Sequence, residues 1–166
     1  MSNAPFRVIP LEGVHERTTF VSDSEALNRY FQLQVSQDVR RRVAACFVAM
    51  DGEQRVAGYY TLAAASVLLA ELPGATAKKL PRYPSVPAIR MGRLAVDQAF
   101  KGQGLGGALL ADALERAARS EIAAFAFVVD AKDKTAAAFY AHHGFIALPD
   151  TPLTLFLPLA TVRGSI

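Results

Sequence analysis

Residues 89–119 read IRMGRLAVDQAFKGQGLGGALLADALERAAR, and their interpretation decides the fold. An apolar strand runs through a short polar connection into glycines, and the glycines run into a helix. Glycines at such a junction let backbone N–H groups approach an anion, and the helix N-terminus behind them attracts negative charge. A phosphate-bearing cofactor is the first expectation.

The chain around this stretch has 166 residues, long enough to bury a core and most economically one domain spanning 1–166. Its 52% apolar and 20% charged residues exclude a disordered chain. A formal charge of +3 fits an anionic partner but is also ordinary for a globular domain. The single cysteine, Cys46, excludes an internal disulfide and a multi-cysteine zinc site, and its apolar surroundings predict a buried structural thiol. The N-terminal apolar residues are interrupted by Pro5, Arg7 and Pro10 and do not resemble a signal peptide. Ser2, Asn3 and Ala4 look like a cloning remnant. The apolar run 57–70 is too short and too β-like to span a membrane. No membrane association and a cytoplasmic location are the resulting expectations.

Upstream of the glycines, residues 6–9 read as a strand. Ser22 and Glu25 have capping-box spacing, which predicts a helix from near Asp23 through Leu27, Tyr30, Phe31 and Val35. Arg40, Arg41 and Arg42 form a solvated cluster or a phosphate-contacting patch. Residues 43–50 and 56–69 read as two strands joined by a hairpin opening on Asp51-Gly52. Residues 71–87, with four prolines and the cations Lys78, Lys79 and Arg82, read as a substrate-facing loop with one helical turn near 75–80. Residues 88–96 form the central strand. In the helix after the glycines, Leu110, Ala113, Leu114, Ala117 and Ala118 share one face, with Asp112/Arg116 and Glu115/Arg119 paired on the other. Downstream, residues 122–129 suit a strand covered on both faces. Asp133 caps a helix ended by Gly144, and residues 145–148 and 154–159 close the chain as strands. The expected class is α/β, a mixed and mostly antiparallel central sheet flanked by helices.

Three cofactor loops compete for the glycines. A P-loop is excluded because no Gly-Lys-Ser/Thr follows them. Gly102, Gly104 and Gly107 do fit the dinucleotide pattern G-x-G-x-x-G, with Asp130 near the place of a ribose-binding acid. In that motif, however, the strand leads directly into the first glycine, whereas residues 97–101 intervene here. Too little chain follows Asp130 to complete that fold. The whole pattern resembles the GNAT N-acetyltransferase superfamily instead. It comprises Arg93-Leu94-Ala95-Val96-Asp97, then Lys101-Gly102-Gln103-Gly104-Leu105-Gly106, then a Leu-rich helix. The superfamily writes this loop Q/R-x-x-G-x-G/A. Gly104 and Gly106 match, while Lys101 stands where Gln or Arg is usual and lacks the planar fork. Val128-Val129-Asp130-Ala131, Ala137-Ala138-Phe139-Tyr140 and His143-Gly144-Phe145 resemble its closing strand–helix–strand unit.

The resemblance implies the GNAT acyl-CoA N-acyltransferase fold, acetyl-CoA as cofactor and acetyl transfer to a primary amine. Lys101, Gly102, Gln103, Gly104, Leu105, Gly106 and Gly107 would cradle the pyrophosphate. The backbone of Leu94, Ala95 and Val96 would pair with the pantetheine arm, and Phe139 would wall the cofactor. Tyr140 would protonate the departing thiolate, for which an unperturbed hydroxyl of pKa about 10 is suitably protonated. Packing alone is the alternative for an aromatic at helical spacing. No residue stands out as a general base, and a water or an amine of low basicity fills that need. His142 and His143 are adjacent and point in different helical directions, so no metal site is expected.

Within the superfamily, residues 92–97 and the loop Leu80-Pro81-Arg82-Tyr83-Pro84 are similar to toxins of toxin–antitoxin pairs that acetylate aminoacyl-tRNA. That similarity implies an aminoacyl-tRNA substrate and a ribbon-helix-helix antitoxin; a homodimer is a further expectation. Arg82, Arg90 and Arg93 would bind the substrate, with Arg40–42, Lys78 and Lys79 as further phosphate contacts. Ordinary surface charge, with Arg93 buried and paired, is the opposing expectation. Two other functions remain open on the sequence: acetylation of a small-molecule or protein amine, and a noncatalytic acyl-CoA-binding or partner-binding module.

Overall fold

A computed structural model describes residues 6–162, so the expectations placed on Ser2, Asn3, Ala4 and Pro5 lie outside the described residues. The elements are β1 (Arg7–Pro10), α1 (Glu25–Arg29), α2 (Val35–Arg40), β2 (Ala45–Met50), β3 (Val56–Leu68), α3 (Gly74–Ala77), β4 (Ser85–Val96), α4 (Leu105–Arg119), β5 (Ala126–Asp130), α5 (Lys134–His142), β6 (Ile146–Leu148) and β7 (Thr151–Pro158). They build one mixed sheet of strand order β1-β2-β3-β4-β5-β7-β6. β1–β2, β2–β3, β5–β7 and β7–β6 pair antiparallel. β4 and β5 pair in parallel from Ala88↔Ala126 to Met91↔Val129, joined by a crossover through α4 as a parallel pair requires. The mixed, mostly antiparallel sheet with helices is as expected.

Two compact units share these elements: Met1–Ala63 with Gly92–Ala113, and Ala64–Met91 with Leu114–Ile166. The first packs Phe20, Phe31, Val35, Val48, Met50 and Tyr59 into one core. Phe31 and Tyr59 stack at 4.3 Å, and Phe20 meets both edge-on at 5.0 and 5.5 Å. Leu105 and Leu109 of α4 are buried, and Leu109 lies against Gly58 of β3. The second unit is built on Val67, Leu72, Val86, Ala88, Ala126, Val128, Leu148 and Phe156.

Several boundaries differ from the sequence expectation for physical reasons. Ser24, not Ser22, caps the first helix, accepting the Leu27 N–H at 3.2 Å, because Ser22 is drawn into a buried bond with Asn28 at 2.7 Å. That helix continues to Arg40 through Tyr30–Gln34, where Val35 N–H reaches back five residues to the Tyr30 carbonyl in π geometry. Arg40, Arg41 and Arg42 therefore form the solvated end of α2, with Arg42 at φ 61°. Residues 122–125 stay outside β5, since the Ser120 hydroxyl accepts the Ile122 N–H and Ile122 is exposed. β7 opens earlier than expected, at Thr151, because Pro152 falls at its exposed start, where a missing donor costs little. Among the described residues no helix is long and apolar enough to cross a membrane.

Candidate active site

The glycine loop leaves β4 through a fixed corner. Asp97 is buried, and its carboxylate accepts the N–H groups of Val21 (3.0 Å) and Ala99 (2.8 Å). Its own N–H donates to Ala57 C=O at 2.8 Å, and Gln98 N–H donates to Val21 C=O at 2.8 Å. A carboxylate held by backbone donors is a strong anchor, so the direction in which the loop departs is set by Asp97. Sequence reasoning used Asp97 only as part of a pattern and missed this role, whose partner Val21 lies 76 positions away.

Beyond the corner, Gly102 and Gly104 sit at φ +80° and +77°, left-handed values that side chains rarely adopt. A Cβ built on either glycine meets nothing within 4 Å, so the space over the loop is open. The first backbone bond of α4 runs from Ala108 N–H to Gly104 C=O at 3.1 Å. The N–H groups of Leu105, Gly106 and Gly107 precede that ladder and point toward the open end of the helix. Leu105 turns its side chain into the core and has only its backbone to offer, whereas Gln103 is exposed. These residues fit an anion such as a pyrophosphate. Lys101 behaves differently: its Nζ lies 2.6 Å from Asp23 Oδ2, with both side chains about half exposed. Asp23 carried no signal in the sequence, because the partners are 78 positions apart.

Leu94, Ala95 and Val96 occupy the end of β4. Pairing with β5 stops at Met91, and in the strand order β5 is the neighbour of β4 on that side. The backbone N–H and C=O groups of residues 92–96 are therefore not taken up by β5 among the described residues.

In the second unit α5 starts as expected, with Asp133 accepting the Ala136 N–H at 2.8 Å, and is followed by Gly144 at φ +94°. It carries Tyr140, 6% exposed, against Phe139 (5.2 Å) and Phe145 (5.6 Å). Four tyrosines are buried, and three of them donate their hydroxyls: Tyr30 to Asp38, Tyr59 to Leu27 C=O and Tyr60 to Asp112. Among the described residues the Tyr140 hydroxyl has no hydrogen-bond partner, yet it is not a sealed, unsatisfied atom. Burial, with a smaller push from the Asp130 charge, raises it to about 12.

The three arginines fall in different surroundings. Arg90 is paired with Asp130 at 2.9 Å, and Thr154 donates to the same carboxylate at 3.3 Å. Asp130 thus pairs with Arg90, and its charge also bears on the Tyr140 hydroxyl. Arg93 lies in the first unit with its guanidinium 3.5 Å from the centroid of the Tyr30 ring. The Tyr30 hydroxyl donates to Asp38 at 2.7 Å, which lowers the Asp38 carboxyl, and the nearby Arg93 charge lowers it further. Tyr30 is the first residue of the π segment, and such segments are frequent at functional positions. Arg82 is exposed on the loop after α3. Cys46 is buried and its thiol is pushed up to about 12, the state of an inert core residue. No group of three metal-ligating side chains occurs among the described residues.

Comparison with known proteins extends these observations. Residues 42–147 match the acetyltransferase (GNAT) domain. The tRNA-acetylating toxin of Mycobacterium tuberculosis is 36% identical over 167 residues, with 99% of this chain and 96% of that protein covered. The solved structure of AtaT complexed with acetyl-methionyl-tRNAfMet is similar at a TM-score of 0.87 and 28% identity, covering 95% of this chain and 97% of that one. AtaTR bound with AcCoA gives a TM-score of 0.83 at 26% identity, with 96% of each chain covered.

Proposed function

The chain belongs to the GNAT acetyltransferase family, and on that footing we propose that it transfers acetyl from acetyl-CoA to the α-amine of aminoacyl-tRNA as the toxin of a toxin–antitoxin pair. The observation that carries the substrate is the 36% identity, over nearly the full length of both chains, with a tRNA-acetylating toxin. The chain is read as one GNAT domain, a cytoplasmic homodimer restrained by a ribbon-helix-helix antitoxin.

Acetyl-CoA supplies an acetyl group activated as a thioester. The N–H groups of residues 102–107 hold its pyrophosphate, helped by the positive end of α4, while Gln103 lies exposed at the rim. Lys101, engaged by Asp23, offers a hydrogen-bond donor close by rather than a dedicated fork. The edge formed by Leu94, Ala95 and Val96 aligns the pantetheine arm, and its N–H groups polarise the acetyl carbonyl. Phe139 lines the cofactor. As the amine nitrogen bonds to the carbonyl carbon, the C–S bond breaks and Tyr140 gives its proton to the thiolate. The amine loses its proton to water, a step eased by the low basicity of an aminoacyl ester. Arg82, Arg90 and Arg93 orient the tRNA, Arg90 and Arg93 from positions already fixed by Asp130 and Tyr30.

The test is incubation of the purified chain with acetyl-CoA and charged tRNA, followed by mass spectrometry of the esterified amino acid. N-acetylated aminoacyl-tRNA is the expected product. Acetylation of polyamines or protein amines with charged tRNA untouched would overturn the reading.

A further inference from the structure

Residues 72–96 hold five cations, Lys78, Lys79, Arg82, Arg90 and Arg93, and no acid. Arg90 and Arg93 are engaged by Asp130 and by the Tyr30 ring. Lys78, Lys79 and Arg82 are exposed, and none has an ion-pair partner among the described residues. Next to Arg82, Tyr83 turns 63% of its surface to solvent, while the other four tyrosines of the chain are buried. The mechanism above leaves Tyr83 without a task.

The ring is displayed on stiff backbone. Leu69, Ala77 and Leu80 pack on the core of the second unit, which includes Leu72. Leu80 N–H donates to Ala77 C=O at 3.1 Å, and Pro84 C=O accepts the Leu69 N–H at 2.9 Å. Pro81 and Pro84 have fixed φ, and Leu80 and Tyr83, each preceding a proline, are biased toward extended conformations. A side chain held this way loses little freedom on binding.

An exposed aromatic ring beside unpaired cations is how proteins hold single-stranded nucleic acid: the ring stacks on a base and the cations take the phosphates. We propose that Tyr83 is the stacking platform for an unpaired base at the 3′ end of the aminoacyl-tRNA, with Arg82, Lys78 and Lys79 on the adjacent phosphates. This rests on the tRNA reading above and assigns Tyr83 recognition of the nucleotide rather than of the amine.

The experiment compares the intact chain with Tyr83→Ala and Tyr83→Phe on two acceptors: charged tRNA, and an alkyl ester of the same amino acid that carries no nucleotide. Loss of the ring is expected to raise KM for charged tRNA about tenfold, within the range for one stacked base, and to leave the ester reaction unchanged. Tyr83→Phe keeps a stacking face and stays near the unsubstituted rate. In direct binding, trimming the unpaired 3′ nucleotides from tRNA weakens the unsubstituted chain more than Tyr83→Ala, which loses only the phosphate contacts. Equal thermal midpoints show that the variants fold.

Equal KM values for Tyr83→Ala and the unsubstituted chain on charged tRNA overturn the stacking assignment alone. So does an equal loss on the ester, an equal loss in Tyr83→Phe, or a ring-dependent binding to phosphatidylserine vesicles without a change on tRNA. Charged tRNA left unmodified by the unsubstituted chain removes the tRNA reading itself, and this assignment with it.

Discussion

At Tyr140 the ring and the hydroxyl have different surroundings. The ring is held by Phe139 and Phe145, so it contributes to the fold, but the hydroxyl bonds to nothing that the fold needs. Tyr140→Phe is therefore expected to leave the unfolding midpoint unchanged while lowering kcat by about a hundredfold or more, the usual contribution of a positioned acid. KM for acetyl-CoA should stay constant, and steady-state kinetics beside a thermal melt checks all three. A variant that keeps its turnover would reduce Tyr140 to a core residue. The sequence singled out Tyr140 through Phe139, Gly144 and Phe145 around it, and these kinetics decide its role. Its neighbour Asp130 was legible only as a strand-ending acid, because its pairing with Arg90 arises from the parallel register of β4 and β5.

Among the elements, β3 and α4 depend on one glycine that no motif announces. A Cβ on Gly58 would stand 2.8 Å from Leu109 Cδ1 and 2.9 Å from the Ala95 carbonyl oxygen. The leucine can rotate away, but the carbonyl belongs to β4 and cannot. Gly58→Ala is expected to destabilise the chain by about 1–3 kcal/mol, read as a lower urea midpoint. The glycines at 102 and 104 are the opposite case: the sequence exposes them because a loop–helix junction needs their left-handed φ, whatever the space around them. The first helix was half legible. Its apolar spacing marked Leu27, Tyr30 and Phe31, but not the capping Ser24, which takes that place because Ser22 is engaged by Asn28, nor the π segment that carries Tyr30.

For the molecule as a whole, the order of strands and helices was readable from hydrophobic runs and turn residues, and the anchoring of the site was not. Asp97 to Val21, Lys101 to Asp23 and Arg93 to Tyr30 all join distant positions, and only the folded chain brings them together. The buried hydroxyls and thiol also give the molecule a pH limit. Burial raises Tyr30, Tyr59, Tyr140 and Cys46, so each binds its proton more tightly folded than unfolded. Their stabilising contribution is complete below the ordinary thiol and phenol ranges and drains away as pH rises through the folded values. Stability is thus expected to fall steadily from about pH 9 upward, with urea midpoints lower at about pH 10.5 than at about pH 8. Activity should not lose the Tyr140 proton over the same interval, since that group holds it to about 12.

Met91, where β5 parts from β4, divides two kinds of backbone. From Ala88 to Met91 the strand pairs with β5; among the described residues it does not pair with β5 beyond Met91, and a strand flank left unpaired is a template on which any extended chain can add itself. Such a template does not distinguish a cofactor arm from the strand of another unfolded or nascent chain. A cofactor arm bound there as proposed would close that flank, so ligand binding is expected to slow aggregation, which light scattering with and without acetyl-CoA checks.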